Sequence, residues 1–281
     1  MGKLRDFAVA ALLSLPACLM AGGVAQATTI NPPTVSGEAS LEEILHGIGA
    51  VSIDASGAVN SAMEPDKYWT TTTVGSMSEV VIQLTQGAGA EFGIYDAADR
   101  NNYVKIFDAD AIAGQGASIK INSSGQVIVS LLPTFDESGM PVGGGTYATG
   151  TFAAGNLFGF YYNDGTSTLY SDDAYNGGYD HMVAFAGNDS DFLTIGEGAN
   201  QYASYFGVGD RILAWDDSAR DGDYNDFVVM VESMNPVNPV PEPSSVLLLG
   251  MGLVGVGVLA IRRKGNPRAA RPRGALPQKK M

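Results

Sequence analysis

Twelve consecutive residues concentrate the chain's capacity for chemistry: Trp215-Asp216-Asp217-Ser218-Ala219-Arg220-Asp221-Gly222-Asp223-Tyr224-Asn225-Asp226. Five are Asp and one is Asn. Carboxylates at this density repel each other unless a cation or hydrogen-bond donors screen them. Hard cations such as Ca²⁺ take roughly six to eight oxygen ligands from such loops. The candidate ligands are Asp216, Asp221, Asp223, Asn225 and Asp226, and Arg220 can neutralise only one of the acids. The alternative is a solvated hairpin loop whose Asp side chains bond their own backbone in Asx-turns. An EF-hand is excluded. Asp221, Asp223, Asn225 and Glu232 fall at loop positions one, three, five and twelve, but Asp226 stands where the turn demands Gly. The following Phe227 to Val231 reads as strand, which at about 3.3 Å per residue carries Glu232 roughly 20 Å from Asp226.

Other chemistries are poorly supplied. The 281 residues include two His and one Cys, Cys18, which lies in the leader. Disulfides and cysteine-based zinc sites are therefore excluded from the body. No His-Glu-x-x-His or Gly-x-Ser-x-Gly occurs. A secreted carbohydrate-active enzyme using paired carboxylates remains as an alternative function. Between Thr28 and Pro239 there are 28 acidic against 6 basic side chains, a balance of −22. Such a body cannot displace counterions from nucleic acid, so no nucleic-acid partner is expected. Tyr161, Tyr162, Tyr170, Tyr175 and Tyr179 lie near the acidic loops. They could stack on sugars, although packing is the commoner fate of such rings.

The elements that must position this loop are strands. Phe227 to Val231 follows it, and Arg211 to Trp215 precedes it. Further strand-like runs are Tyr68 to Val74, Glu79 to Thr85, Glu91 to Tyr95, Tyr103 to Phe107, Ala117 to Ile121, Val127 to Leu132, Leu157 to Tyr162 and His181 to Ala186. Turn residues separate them, among them Asp99 to Asn102 and the hairpin signal Asn163-Asp164-Gly165. Short strands with breakers between them predict an all-β, sandwich or jelly-roll-like domain. Ser40-Leu41-Glu42-Glu43 is a capping box, and it opens one short N-terminal helix that Gly47 stops. His46 reads as a surface or C-cap residue. Leu132 to Gly150 reads as one long loop, and Ser171 to Asp180 as a second acidic loop.

The ends carry addresses. Residues 1–27 read as a cleaved signal peptide: Lys3 and Arg5, then the apolar run Phe7 to Met20, then Ala25-Gln26-Ala27 as signal-peptidase site. The body occupies 28–233, and residues 234–240 form a Pro/Asn linker. Residues 241–264 hold Pro241-Glu242-Pro243, the apolar run Val246 to Ile261 and Arg262-Arg263-Lys264. Ser244 to Ile261, as helix, spans about 27 Å, enough for the hydrocarbon core. The basic cluster holds the tail on the cytoplasmic side. A basic cytoplasmic tail, 265–281, follows.

Two resemblances rest on these residues. Phe158 to Tyr161, Asp180 to Phe185, Ile212 to Asp217 and Gly222 to Val229 resemble a bacterial exported domain of unknown function over roughly 155–233. Its Gly-Asp-x-Asp-Tyr-Asn-Asp turn, shortened here, leads into a final apolar strand. That resemblance implies an exported β-rich module, Ca²⁺-dependent, with no catalytic residue to transfer. The tail resembles the PEP-CTERM sorting signal of Gram-negative bacteria. It implies a transient anchor at 246–261, cleavage by an exosortase-like membrane protease, and delivery to the cell surface or extracellular space. The expected function is a non-catalytic envelope or matrix protein that meets extracellular polysaccharide in a biofilm.

Overall fold

The computed structural model describes residues 28–59, 66–72, 79–83, 91–136 and 138–237. The signal peptide with Ala27, the Pro241-Glu242-Pro243 site, the span 246–261, Arg262 and Arg263, and the basic tail lie outside the described residues. Among the described residues no helix is long and apolar enough to cross a membrane.

The described chain is mostly β, in several antiparallel sheets, with one short α-helix. The largest sheet has seven strands. From one edge it runs Gly145–Thr151, Gln126–Leu131, Gly116–Ile121, Glu79–Gln83, Phe227–Val231, Arg211–Trp215 and Met182–Ala186. The second sheet runs Met234–Val237, Tyr68–Thr71, Phe158–Asn163, Glu91–Asp96 and Asp99–Phe107, and Thr168–Tyr170 pairs with Phe158–Asn163 as well.

Side-chain alternation brings the two sheets together. Val127, Ile119, Leu213, Phe227 and Val229 from the first sheet share one core with Trp69, Phe92, Ile94, Phe158 and Phe160 from the second. Residues one step out of phase face the other way. Val183, Phe185, Ile212, Ala214, Val228 and Met230 form a second core with Leu41 and Leu45 of the helix and with Leu193, Ile195 and Phe206. The Leu41–Gly47 helix and the Phe192–Ile195/Tyr202–Tyr205 hairpin thus cover the outer face of the first sheet. That cover explains why Arg211–Trp215 and Phe227–Val231 are buried along their whole length. Strands buried on both faces read as continuous apolar runs rather than alternating ones.

The helix begins as expected. The Ser40 side chain accepts from the Glu43 N–H, and Glu43 accepts from the Ser40 N–H at 2.9 Å. Three expectations are corrected. The stretch from Leu132 to Gly150 is no single loop, since Thr134–Phe135 pairs with Pro141–Val142 and Gly145–Thr151 forms an edge strand. Gly weakens a strand in a central position but is tolerated at an exposed edge, and Thr146, Tyr147, Thr149 and Thr151 supply the propensity. Asp99 to Asn102 is not a breaker but the start of Asp99–Phe107. The turn falls at Ala97-Ala98, where the Ala98 N–H donates to Asp96 Oδ1 at 3.0 Å. Residues 234–237 of the expected linker form an edge strand, with Pro236 opposite Trp69. Pro fits there because an edge strand has N–H groups that no neighbour needs.

Candidate metal centre and its surroundings

Trp215 pairs with Phe227, so residues 216–226 form the loop of a hairpin between two fully buried strands. Much of the loop is withdrawn from solvent, although Ala219 and Arg220 stay exposed. Asp216 is 0 % exposed, Asp223 2 % and Asn225 6 %. Left-handed backbone at Arg220 (φ 59°), Gly222 (φ 78°) and Tyr224 (φ 54°) folds it back on itself. For a bulky residue such as Tyr224 that conformation is costly and needs support from outside. The support is its own ring, which is buried and donates from Oη to the Asp180 carbonyl at 2.8 Å.

Four carboxylates converge: Asp216, Asp221, Asp223 and Asp226 each offer an oxygen, and these atoms all lie within 4.8 Å of one another. They could together hold a metal ion. These are four of the five ligands proposed from sequence. Asp216 is held by Tyr179 Oη, which donates to Oδ2 at 2.7 Å, and by the Gly222 N–H, which donates to Oδ1 at 3.0 Å. Asp226 accepts the Asp217 N–H at 2.7 Å. The fifth residue, Asn225, donates through Nδ2 to the Ala39 carbonyl at 2.9 Å, and its Oδ1 is buried with no partner. Buried acceptors without donors are rare in folded proteins.

Charge in this cluster is poorly compensated. Burial pushes Asp216 up to about 6, opposed by hydrogen bonds from Tyr179 and Gly222. Burial, then the Asp221 charge, pushes Asp223 up to about 6. Burial pushes Asp226 up to about 7, and the charges of Asp217, Asp223 and Asp216 add to it. Among the described residues Arg220 makes no ion pair with the cluster. Its guanidinium lies 5.0 Å from the Tyr179 ring centre and donates to the Asn176 carbonyl at 3.2 Å. Desolvated carboxylates this close favour any bound positive charge.

Asp217 stays outside the cluster and caps its own turn by accepting the Ala219 N–H at 2.6 Å. The Asx-turn reading holds for that residue. Glu232 is remote as expected and accepts a hydrogen bond from Tyr202. His181, buried beneath the loop, places Nδ1 2.8 Å from the Asp216 carbonyl, and burial holds its pKa below the usual value.

What the sequence did not disclose is a strap from the N-terminal lead-in. The Asn31 N–H donates to the Gly222 carbonyl at 2.8 Å and its side-chain amide to the Asp221 carbonyl. Thr34 Oγ1 donates to Asp221 Oδ2 at 2.9 Å. With Ala39 on Asn225, the segment from Asn31 to Ala39 crosses the loop and fixes two of the candidate ligands. A contact across roughly 190 positions leaves no local signal. The only hint is a polar, Pro-bearing stretch with no strand or helix pattern.

The five tyrosines divide. Tyr162 belongs to the core, stacked on Phe227 at 5.1 Å. Tyr179 serves the loop. Tyr161 and Tyr170 line an open cavity of about 90 Å³ on the outward face of the second sheet. Tyr175 packs edge-on against Tyr170 at 5.6 Å.

Residues 239–264 match the PEP-CTERM protein-sorting motif. The match marks an exported, envelope-associated protein processed by an exosortase. It leaves the comparison of residues 155–233 with an exported domain resting on those residues alone. The chain matches no curated protein.

Proposed function

We propose that the chain is an exported, non-catalytic module of the cell envelope or extracellular matrix. Signal peptidase cuts after Ala27, an exosortase cuts at Pro241-Glu242-Pro243, and Ca²⁺ in the Asp216–Asp226 loop stabilises a β-sandwich body outside the cell. The observation that carries the metal reading is the convergence of Asp216, Asp221, Asp223 and Asp226 within 4.8 Å, beside the orphaned Asn225 Oδ1. Ca²⁺ suits it for three reasons. The donors are all hard oxygens. Ligands on opposite sides of a shell of about 2.4 Å radius lie about 4.8 Å apart. Extracellular modules also tolerate weak sites, with dissociation constants on the order of 10⁻⁴–10⁻³ M.

The alternative of a paired-carboxylate hydrolase finds less support. A retaining pair stands about 5–5.5 Å apart and an inverting pair about 6.5–9.5 Å, around a sugar cleft. The four Asp oxygens are closer than either, and the cavity by Tyr161 contains one carboxylate, Glu91. Extracellular polysaccharide is the partner class the reading assigns.

The test is metal analysis and mass spectrometry of the processed protein recovered from its host. We expect one Ca²⁺ per chain after dialysis at millimolar Ca²⁺, an N-terminus at Thr28 and loss of Arg262 to Met281. A metal-free protein under those conditions would remove Ca²⁺ from the reading, and an intact basic tail would remove exosortase release.

A further inference from the structure

We infer that residues 31–39 are a strap fastened by a cation in the Asp216–Asp226 loop: with Ca²⁺ in the loop the strap lies closed over it, and without Ca²⁺ it lifts. This adds regulation to the Ca²⁺ site proposed above and rests on it.

The strap has firm ends and a middle without apolar anchors. Ile30 before it and Leu41 after it are buried in the second core. Between them no residue is buried. Pro33 is half-buried and the others are exposed, Val35 by 62 %. A segment with so little buried apolar surface opens at low free energy unless polar contacts hold it.

Those contacts all end on the loop. Among the described residues, the hydrogen bonds that join residues 31–39 to the rest of the body reach Asp221, Gly222 and Asn225. Asp221 is gripped twice, at its carbonyl by the Asn31 amide and at Oδ2 by Thr34 Oγ1, 2.9 Å away. Gly222 permits the close approach, since a Cβ there would come 2.8 Å from Asn31 Nδ2.

Asp221 is also where the loop gives way. Four carboxylates with oxygens within 4.8 Å repel each other when no cation lies among them. Asp216 and Asp223 are buried, and Asp226 is tied to the Asp217 N–H next to a buried strand. Asp221 is half-buried and sits between the left-handed residues Arg220 and Gly222, so it is the acid freest to swing outward. That swing moves the carboxylate that Thr34 holds and the two carbonyls that Asn31 holds. The strap brings a charge of its own. Burial and then Asp221 push the Asp223 carboxyl up, and Glu38 adds to the push. A cation in the loop therefore offsets repulsion between strap and loop as well as repulsion within the loop. Cation and closed strap favour the same arrangement, so each strengthens the other.

The test is limited proteolysis of the processed protein in EDTA and in saturating Ca²⁺, with calorimetry of Ca²⁺ binding alongside. An elastase that needs no metal cuts after Val35, in the middle of the strap, and mass spectrometry follows that cut. Cuts after Val127 and Val229, both buried, report global unfolding. When opening is fast, cutting tracks the open population. We expect the Val35 cut to be about tenfold faster in EDTA than in Ca²⁺, an ordinary size for coupling between two sites. It should run well ahead of the cuts at Val127 and Val229. Thr34→Ala should speed the Val35 cut in Ca²⁺ about fivefold, for one lost hydrogen bond. Equal cutting after Val35 in both conditions, with Ca²⁺ binding seen by calorimetry, would overturn the strap and leave the metal site standing. A Val35 cut that only keeps pace with Val127 and Val229 would overturn it in favour of global stabilisation. Absence of Ca²⁺ binding would remove the site, and the strap's fastening with it.

Discussion

Replacing Asp223 by Asn separates a cation site from a merely crowded turn, because only a cation site makes Ca²⁺ raise the wild type much more than the variant. In the metal-free protein Asp223 is 2 % exposed, and burial lifts its pKa from 3.8 to about 6. Holding it ionised at pH 7.5 therefore costs the fold on the order of 3 kcal/mol. Asp223→Asn keeps the shape and the acceptor for the Asn225 N–H and removes that charge. The metal-free variant should accordingly melt above the metal-free wild type. Ca²⁺ should close most of that gap. At a hundred times its dissociation constant, an ion that binds only the folded state adds about 2.7 kcal/mol. Unfolding a body of about 210 residues carries an entropy near 0.44 kcal/mol/K, so the wild type should gain about 6 °C. The variant, short of one ligand in four, should gain about 1–2 °C. Mg²⁺ should do less than Ca²⁺ for the wild type, because it demands a tighter octahedron and sheds water reluctantly. The assay is a thermal melt of the processed protein in EDTA and in Ca²⁺. Superimposable wild-type curves would refute the site. A variant destabilised in EDTA yet still shifted about 6 °C by Ca²⁺ would refute the assignment of Asp223.

The same pKa shifts set a pH dependence. Asp216 and Asp223 near 6 and Asp226 near 7 mean that between about pH 4 and 7 the folded state binds more protons than the unfolded one. In EDTA stability should therefore fall as pH rises through that window, and melts at pH 4.5 and 7.5 give the sign. Thr34→Ala removes the hydrogen bond to Asp221 Oδ2. Calorimetric Ca²⁺ affinity should fall about fivefold, on the order of 1 kcal/mol. Gly93→Ala sets a methyl against the Val104 carbonyl and the Tyr161 ring, and denaturant melts should show a loss of about 1–3 kcal/mol. Glu242→Ala, or loss of both Arg262 and Arg263, should leave the tail on the exported protein, as mass spectrometry of envelope fractions would reveal.

The centre of the molecule was legible for a local reason. Strands buried on both faces leave uninterrupted apolar runs, so Arg211–Trp215 and Phe227–Val231 framed the acidic loop in the sequence itself. Within the loop, convergence of Asp216, Asp221, Asp223 and Asp226 followed from confinement to one hairpin end. Contacts made across the chain were not legible. Nothing in Asn31 or Thr34 announces Asp221 as a partner. Gly145–Thr151 was hidden by the glycines that an edge strand tolerates. Tyr161 and Tyr162 are adjacent and both buried, yet strand alternation sends them to opposite faces of the second sheet, and only Tyr162 joins the core between the sheets. Spacing alone cannot say which face is inward. Tyr179 could be weighed as a sugar platform but not foreseen as the hydroxyl that holds Asp216.

Under the proposed anchor at 246–261, the edge strand Met234–Val237 bears on release from the membrane. The chain leaves a sheet at Val237, opposite Tyr68, and Pro241 follows four residues later. Four residues fully extended reach at most about 14 Å. A compact body of about 210 residues has a radius of gyration of roughly 17 Å, so it is tethered on a leash shorter than its own radius. A protease cutting at Pro241-Glu242-Pro243 must work beneath the folded body unless the last strand peels from Tyr68–Thr71. Peeling frees those four residues and roughly doubles the reach. The grip of one edge strand thus sets how readily the scissile segment meets its enzyme, and weakening that edge should hasten release without touching the sorting signal.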